Sequence, residues 1–138
     1  MFRIKVVTFL VVPLLLASCI DTSAPIESRF GRYTLQRING EALPQQVIEN
    51  TAVRLEFLRG VVRLNSNGTF TDSTELRVTT LGPNSSVRVS TDVAAGTYRI
   101  AGDSVLYSST RGENYHMTFE SQNTLRQELS GNILVYRR

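Results

Sequence analysis

The chain has 138 residues, with 15 basic and 12 acidic side chains, one Cys, one His and no Trp. This length suits one domain of ordinary size, and a single cysteine excludes an intramolecular disulfide framework. One Cys and one His are too few for the three or four thiolate and imidazole ligands of a zinc centre, so neither a metal nor another cofactor is expected.

The amino-terminal segment has the features of a secretory signal. Arg3 and Lys5 precede an apolar run over residues 6–16, and small residues follow it. This order of charge, apolar segment and small residues is typical of a signal peptide. The apolar run is eleven residues long, well short of the ~20 that a membrane-spanning helix needs, so no transmembrane helix is expected to remain.

Leu16, Ala17, Ser18 and Cys19 follow the signal and resemble the lipobox of bacterial lipoprotein precursors. The resemblance implies cleavage between Ser18 and Cys19, and acylation of the cysteine thiol and of the new amino end, with palmitate among the expected groups. Two or more acyl chains hold a protein stably on a membrane lipid surface, whereas one does not. The alternative is a free or buried cysteine after an ordinary signal.

Ile20, and not Asp, follows the cysteine. In lipoproteins of double-membraned bacteria this implies sorting to the outer membrane, here facing the periplasm. Residues 1–18 are thus expected to be a signal peptide. Residues 19–29 are expected to be the lipidated cysteine and a flexible tether, because they are polar, contain Pro25 and show no periodicity.

Removal of the signal would leave 13 basic against 12 acidic residues, because Arg3 and Lys5 leave with it. The remaining charges are interspersed, and the mature sequence has no basic stripe with interleaved aromatic residues. Nucleic-acid binding is therefore not expected.

From Phe30 onward, short segments rich in β-branched and aromatic residues alternate apolar and polar side chains. An alternation with period two predicts half-buried strands. The turns between them contain Asn39-Gly40 and Asn67-Gly68, pairs that tolerate the positive φ of tight hairpins. Closely spaced strands of this kind predict an antiparallel up-and-down meander, and closing it into a barrel of about eight strands removes the open edges. Residues 53–58, 69–79 and 115–120 alternate clearly, and residues 124–129 alternate less cleanly.

Residues 30–138 resemble the small lipocalin-like domains of bacterial lipoproteins. In lipocalins, a Gly-x-Trp on the first strand lies near an Arg of the last strand and closes one end of the barrel. Here Tyr33 stands where that Trp would be, and Arg137 is the candidate for the Arg. The segments that support the resemblance are residues 31–35, 38–44, 64–70, 96–103 and 134–138.

The interior of such a barrel is the candidate binding site. The residues expected to face it and to contact a ligand are Tyr33, Leu35, Phe57, Phe70, Tyr98, Tyr115, Met117 and Phe119. Asp72 shares the parity of the inward residues. It could point inward and pair with Arg59 or Arg63, but a bulge that turns it outward is favoured, because an unpaired buried charge is costly.

No catalytic arrangement is expected. His116 is the only imidazole, so any Ser-His-Asp triad would have to use it. Its position between Tyr115 and Met117 predicts an outward, solvated side chain, because those neighbours should face inward. The sequence has no Gly-x-Ser-x-Gly motif. An enzyme that uses His116 as a general base remains the less favoured interpretation.

The expected function is that of a membrane-anchored, non-catalytic envelope lipoprotein whose barrel binds a small apolar ligand or a lipid. The alternative is an interaction protein, such as an inhibitor of lysozyme or of a protease, that acts through a loop. Residues 81–95 are the longest stretch without clear strand periodicity, with at most a short strand over 87–89. They are therefore the candidate loop, while the identity of any protein partner is left open.

Overall fold

The computed structural model describes residues 29–138, so the predicted signal peptide, the predicted cleavage after Ser18 and the predicted lipidation of Cys19 lie outside the described residues. The described residues form ten antiparallel strands in one sheet. In chain order these are β1 (Gly31–Ile38), β2 (Glu41–Ala42), β3 (Gln45–Glu49), β4 (Val53–Leu64), β5 (Thr69–Thr80), β6 (Ser86–Ala101), β7 (Ser104–Ser109), β8 (Asn114–Ser121), β9 (Thr124–Leu129) and β10 (Asn132–Arg137).

Eight of these strands close a barrel, because β1 pairs with β10 along one edge and with the end of β4 along the other. From β4 to β10 each strand pairs with the next one in the chain, which is an up-and-down meander. The short strands β2 and β3 pair outside the ring, with β1 and β4. The predicted antiparallel barrel of about eight strands is confirmed, and it is consistent with a small lipocalin-like barrel.

The two ends of the barrel differ. Gly31 pairs with Leu64 at one end, where β1 begins and β4 stops, and Arg29 is buried there. We call this the closed end. At the opposite end, which we call the mouth, β7 turns into β8 and β9 turns into β10. The chain therefore enters the barrel at the closed end.

The closed end and the middle of the barrel are filled by side chains. Tyr33, Val62, Val105, Met117 and Leu125 are fully buried there, and alternate inward positions of the strands supply them. An eight-stranded barrel is just wide enough for side chains to fill it. The remaining buried apolar residues are Leu35, Ile38, Leu64, Phe70, Tyr107, Phe119, Leu134 and Tyr136.

At the mouth, three strands continue beyond the ring. β5 pairs with β6 as far as Thr80 and Ser86, whereas β7 pairs with β6 only from Gly96 onward. Residues 86–94 therefore have β5 on one side and no strand of the described chain on the other. Together with β3 and the neighbouring halves of β4 and β5 they form a four-stranded extension, which we call the arm.

The arm corrects one expectation. Residues 81–95 are not a long loop, because β6 begins at Ser86 and only residues 81–85 form the turn. Val87, Val89 and Val93 alternate with polar residues in this stretch, as in a strand, but they face outward. The strand is held by twelve consecutive pairs with β5, so pairing and not burial of its valines determines its conformation.

Candidate functional site

A cavity of about 390 Å³ opens at the mouth, above the packed part of the barrel. Strands β4, β5, β6, β8, β9 and β10 contribute to it, so it occupies the barrel axis and not a gap between two strands. Much of its wall is apolar. The lining residues are Phe57, Asp72, Thr74, Leu76, Asp92, Ala94, Glu113, Asn114, Tyr115, Gln127, Leu129, Leu134 and Tyr136.

A β-bulge in β4 positions the wall on one side. The register between β4 and β5 shifts between Phe57 and Arg59, so one extra residue separates the two halves of β4. Phe57 consequently faces inward opposite Leu76, and Gly60 faces inward after the bulge. A Cβ at Gly60 would lie 3.0 Å from the Cβ of Leu35. The absent side chain therefore lets the barrel narrow just below the cavity.

Asp72 lies inside this cavity, on the inner face of β5. It pairs with Val62 of β4 and Ala94 of β6. Its Oδ2 accepts a long hydrogen bond of 3.5 Å from the Tyr115 hydroxyl. Its Oδ1 is buried and has no hydrogen-bond partner among residues 29–138. Asp72 is thus a carboxyl group in a partly apolar cavity with one oxygen unsatisfied.

The expectation that a bulge turns Asp72 outward is wrong. The β5–β6 register is unbroken, and the β4 bulge precedes the residue that pairs with Asp72. Arg59 and Arg63 pair with Glu75 and Thr71 and therefore lie on the outer face, where they cannot reach the carboxyl group. Strand parity alone decides the direction of the side chain.

Burial is the main reason that the pKa of Asp72 is raised to about 6, because an apolar surrounding disfavours the charged form. The hydrogen bond from Tyr115 opposes this shift, and the nearby charge of Asp92 adds to it. At neutral pH the carboxyl group is therefore mostly ionised and poorly compensated.

Aromatic packing holds the Tyr115 hydroxyl at Asp72. The Tyr115 ring stacks on Tyr107 with centroids 4.8 Å apart, and Phe70 packs edge-on against both rings. Burial raises the pKa of Tyr115 above its usual value, and the negative charge of Asp72 adds to this. Tyr115 therefore remains a neutral donor.

The eight predicted ligand-facing residues all lie on the inner face, but they reach different depths. Phe57 and Tyr115 line the cavity. Tyr98 packs against the core, and its hydroxyl donates to the Asn65 carbonyl oxygen at 2.6 Å. Five residues are at most 5% exposed and belong to the packed core: Tyr33, Leu35, Phe70, Met117 and Phe119.

Sequence reasoning missed Leu76, Leu134 and Tyr136 as cavity residues. Each lies at an alternating apolar position of a recognisable strand. The sequence therefore indicates that the side chain points inward, but it does not indicate how deep in the barrel the side chain lies. Depth along the axis depends on how neighbouring strands are staggered, which no single strand specifies.

His116 lies on the outer face of β8 and pairs with Leu106 of β7. It borders a surface depression of about 460 Å³ that also includes Arg99 and Asn114. This depression is larger than the mouth cavity, but it lies on the solvent side of the sheet. The outward position predicted for His116 agrees with this placement.

The closed end is sealed by two arginines. The Arg29 guanidinium lies 4.7 Å from the Phe119 ring centroid and donates to the Gly102 carbonyl oxygen at 2.8 Å. Arg138 lies 5.9 Å from the Tyr33 ring centroid. The sequence favoured Arg137 for that position, but Arg137 belongs to β10 and faces outward.

Arg138 can reach beneath the barrel because it follows the last strand. It donates to the Phe30 carbonyl oxygen at 2.6 Å and to Asn123 Oδ1 at 2.8 Å. The Tyr33 hydroxyl donates to the Arg29 carbonyl oxygen at 2.7 Å. The contact between a first-strand aromatic ring and an arginine, which the resemblance implied for Arg137, is thus made one residue later, by Arg138.

Over residues 29–138 no group of three or more His, Cys, Asp and Glu side chains is placed to hold a metal ion. In the same part of the chain, no helix has the length and apolar character needed to cross a membrane. Comparison of the chain with family models, with curated proteins and with solved structures finds no match.

Proposed function

We propose that this protein is a lipid-anchored bacterial envelope protein whose barrel binds, without catalysis, a small apolar molecule bearing a cationic amino group. The observation that supports this most directly is the unsatisfied Oδ1 of Asp72 inside an apolar cavity. A buried carboxylate with an unsatisfied oxygen is destabilising. A cationic amino group in the cavity beside Asp72 would reduce this penalty on binding.

The size and walls of the cavity suit such a ligand. A volume of about 390 Å³ lies within the usual range for small-molecule sites, which are mostly apolar with a few placed polar groups. Phe57, Leu76, Leu134 and Tyr136 supply apolar surface around Asp72. The packed core beneath them limits the ligand to the upper part of the barrel.

The charge of the mouth favours a cation over a neutral or anionic ligand. Asp92 and Glu113 join Asp72 on the wall, and none of the described residues that line the cavity is basic. Arg111 contacts Asp92 Oδ1 at 2.9 Å, whereas neither Asp72 nor Glu113 forms an ion pair with an arginine among the described residues. In a partly desolvated site a paired ammonium group is attracted more strongly than in water.

Anchoring at Cys19 would orient this site. Arg29 lies at the closed end, ten residues after Cys19 in the sequence, and ten residues reach at most ~35 Å. A lipid on Cys19 would therefore keep the closed end near the membrane. The mouth, at the other end of the barrel, would face away from the lipid surface and receive ligands from the periplasm.

Ligand binding is tested by isothermal titration of the purified protein with an alkyl amine, the corresponding alcohol and the corresponding carboxylate, all of one chain length. We expect the amine to bind tightest and the carboxylate weakest. Asp72→Asn should weaken amine binding and leave alcohol binding nearly unchanged. The absence of binding by all three compounds would refute an apolar site, and equal affinities for amine and carboxylate would refute the role of Asp72.

Anchoring is tested separately by growing cells with labelled palmitate. The wild-type protein should incorporate the label and remain with the membrane fraction. Cys19→Ser should incorporate none and should migrate as an unprocessed precursor. Labelling that persists in Cys19→Ser would refute the proposed anchor without bearing on the cavity.

A further inference from the structure

The arm has an unusual free edge. Residues 86–94 of β6 pair with β5 on one side, while their other side meets no strand in the part of the chain that the structure describes. Free edges in native proteins are usually short, bulged or covered, because exposed backbone groups recruit another strand. The β5–β6 pairing contains no bulge, so this edge is long and regular.

The opposite edge of the arm is protected in the usual way. β3 spans only five residues, and its pairing with β4 is interrupted by a bulge between Gln46 and Ile48. Of the two edges of the arm, only the β6 edge is both long and free of a bulge. Val87, Val89 and Val93 on that strand are 65%, 52% and 51% exposed, so the outer face beside this edge carries a row of apolar side chains.

The free backbone groups of this edge lie in the plane of the sheet and point away from β5. Thr110 N–H donates to the Ala95 carbonyl oxygen, and Arg111 donates to that of Val93, both from the β7 side. In an antiparallel strand the N–H and C=O of one residue point to the same side and alternate from residue to residue. The polar backbone groups of Val87, Val89 and Thr91 therefore point toward the free edge.

The sequence of the edge is complementary to itself. If two copies pair antiparallel about Ser90, Arg88 lies opposite Asp92 of the partner subunit, and the reverse contact forms by symmetry. Val87 then lies opposite Val93 of the partner subunit. Arg88 and Asp92 are both on the inner face of the sheet, given that even-numbered β6 residues pair with inward residues of β5. Opposite charges at facing positions stabilise a strand pair.

The register also agrees with the backbone directions. Ser90 points its N–H and C=O toward β5, so Ser90 and Ser90 of the partner subunit would form a non-hydrogen-bonded pair. Val89 and Thr91 of the partner subunit would then exchange backbone hydrogen bonds. Asp92 uses Oδ1 for Arg111, which leaves Oδ2 for an arginine across the interface.

We infer that the protein forms a two-fold symmetric dimer by antiparallel pairing of residues 88–92 of β6 with the same residues of a second copy. The pairing ends there because the Val93 carbonyl oxygen already accepts a hydrogen bond from Arg111. The occupant of this edge is a second copy, because pairing must place an acidic residue opposite Arg88 and a basic residue opposite Asp92. An unrelated strand would carry this charge pattern only by chance. A two-fold axis supplies both automatically.

The first experiment uses the full chain in its membrane and the variant Ser90→Cys. The Cα atoms of a non-hydrogen-bonded pair lie ~4.5 Å apart, within the ~4.4–6.8 Å range of disulfides. Mild oxidation should therefore produce a covalent dimer. Gln46→Cys, on the other edge of the arm, and the wild-type chain, with Cys19 alone, are the matched controls and should form no covalent dimer.

The second experiment tests the register by charge reversal, with the dimer measured by sedimentation in mild detergent. Arg88→Asp places like charges together twice and should weaken dimerisation by roughly tenfold or more. Adding Asp92→Arg reverses both charges and should restore most of the association. Cross-linking of Ser90→Cys no greater than that of Gln46→Cys, a wild-type monomer at every concentration, or no effect of Arg88→Asp would each overturn the inference.

Discussion

Replacing Asp72 by Asn should stabilise the protein at neutral pH, although it removes a charged group from the candidate site. The folded state raises the pKa of Asp72 to about 6, whereas an unperturbed carboxyl group titrates near ~3.9. The folded state therefore holds the proton more tightly than the unfolded state. Raising the pH through this interval costs folding free energy, and above pH ~6 the cost is fully present.

The size of this cost follows from the shift. About two pKa units at ~1.36 kcal/mol each give a penalty of about 2 to 3 kcal/mol at pH 7. At pH 4 the group is protonated in the folded state and about half protonated in the unfolded state, so the penalty falls to about 0.5 kcal/mol or less. Asn has nearly the same shape and no charge, so Asp72→Asn removes the penalty without creating a cavity.

Thermal unfolding followed by circular dichroism, in matched buffers from pH 4 to pH 8, measures this directly. We expect Asp72→Asn to raise Tm by roughly 10 °C at pH 7.5 and by little at pH 4. The control is Glu75→Gln, which removes an outward carboxylate from the same strand and should show no such pH-dependent gain. A gain that is equal at both pH values, or a loss at pH 7.5, would refute a buried and unsatisfied carboxylate.

Two further predictions concern the packing of the barrel. Gly96→Ala should destabilise the fold by about 3 kcal/mol or more, measured by urea unfolding, because the added Cβ would overlap the Ser108 backbone carbonyl oxygen. A loss below 1 kcal/mol would show that the strands can separate there. Arg138→Ala should lose about 1 kcal/mol through its contacts beneath Tyr33, whereas Arg137→Ala, on the outer face, should be nearly neutral. Equal losses in the two arginine variants would contradict the assignment of Arg138 to the closed end.

The stability cost of Asp72 bears on the proposed function. Natural proteins depart from good packing and charge pairing mainly at sites where function requires it. Asp72 is such a departure, because an unpaired carboxylate lies in the cavity while several arginines remain on the outer face. If Asp72→Asn gains stability and loses affinity for an amine, both results have one physical origin.

Much of the fold could be predicted from the sequence. Alternation of apolar and polar residues gave the direction of the side chains from Tyr115 to Phe119, and Asn-Gly pairs gave the tight turn at Asn39, where φ is positive. The length of β6 was missed, although Val87, Val89 and Val93 alternate as in a strand. These valines face outward and are exposed. Their alternation therefore does not mark a buried face, which is the feature by which alternation predicts a half-buried strand.

The candidate site was harder to predict from the sequence. It depends on how deep each side chain lies along the barrel axis as well as on whether the side chain points inward. Phe57 and Tyr115 line the cavity, whereas Met117, two residues further along the same strand face, lies in the packed core. The sequence cannot distinguish these positions, because the stagger of the strands and the bulge in β4 determine where the core ends.

By itself, the sequence determined the class of the fold, the absence of a disulfide framework or a thiolate and imidazole metal cluster, and the side of each clear strand that faces inward. These follow from composition and from the period of two along a strand, which are local properties. Only the tertiary structure decided that Asp72 lies inside with one carboxyl oxygen unsatisfied, that Arg138 and not Arg137 closes the barrel, and that β6 has a free edge. Each of these depends on register and on where neighbouring strands stop, and both are set between strands rather than within one.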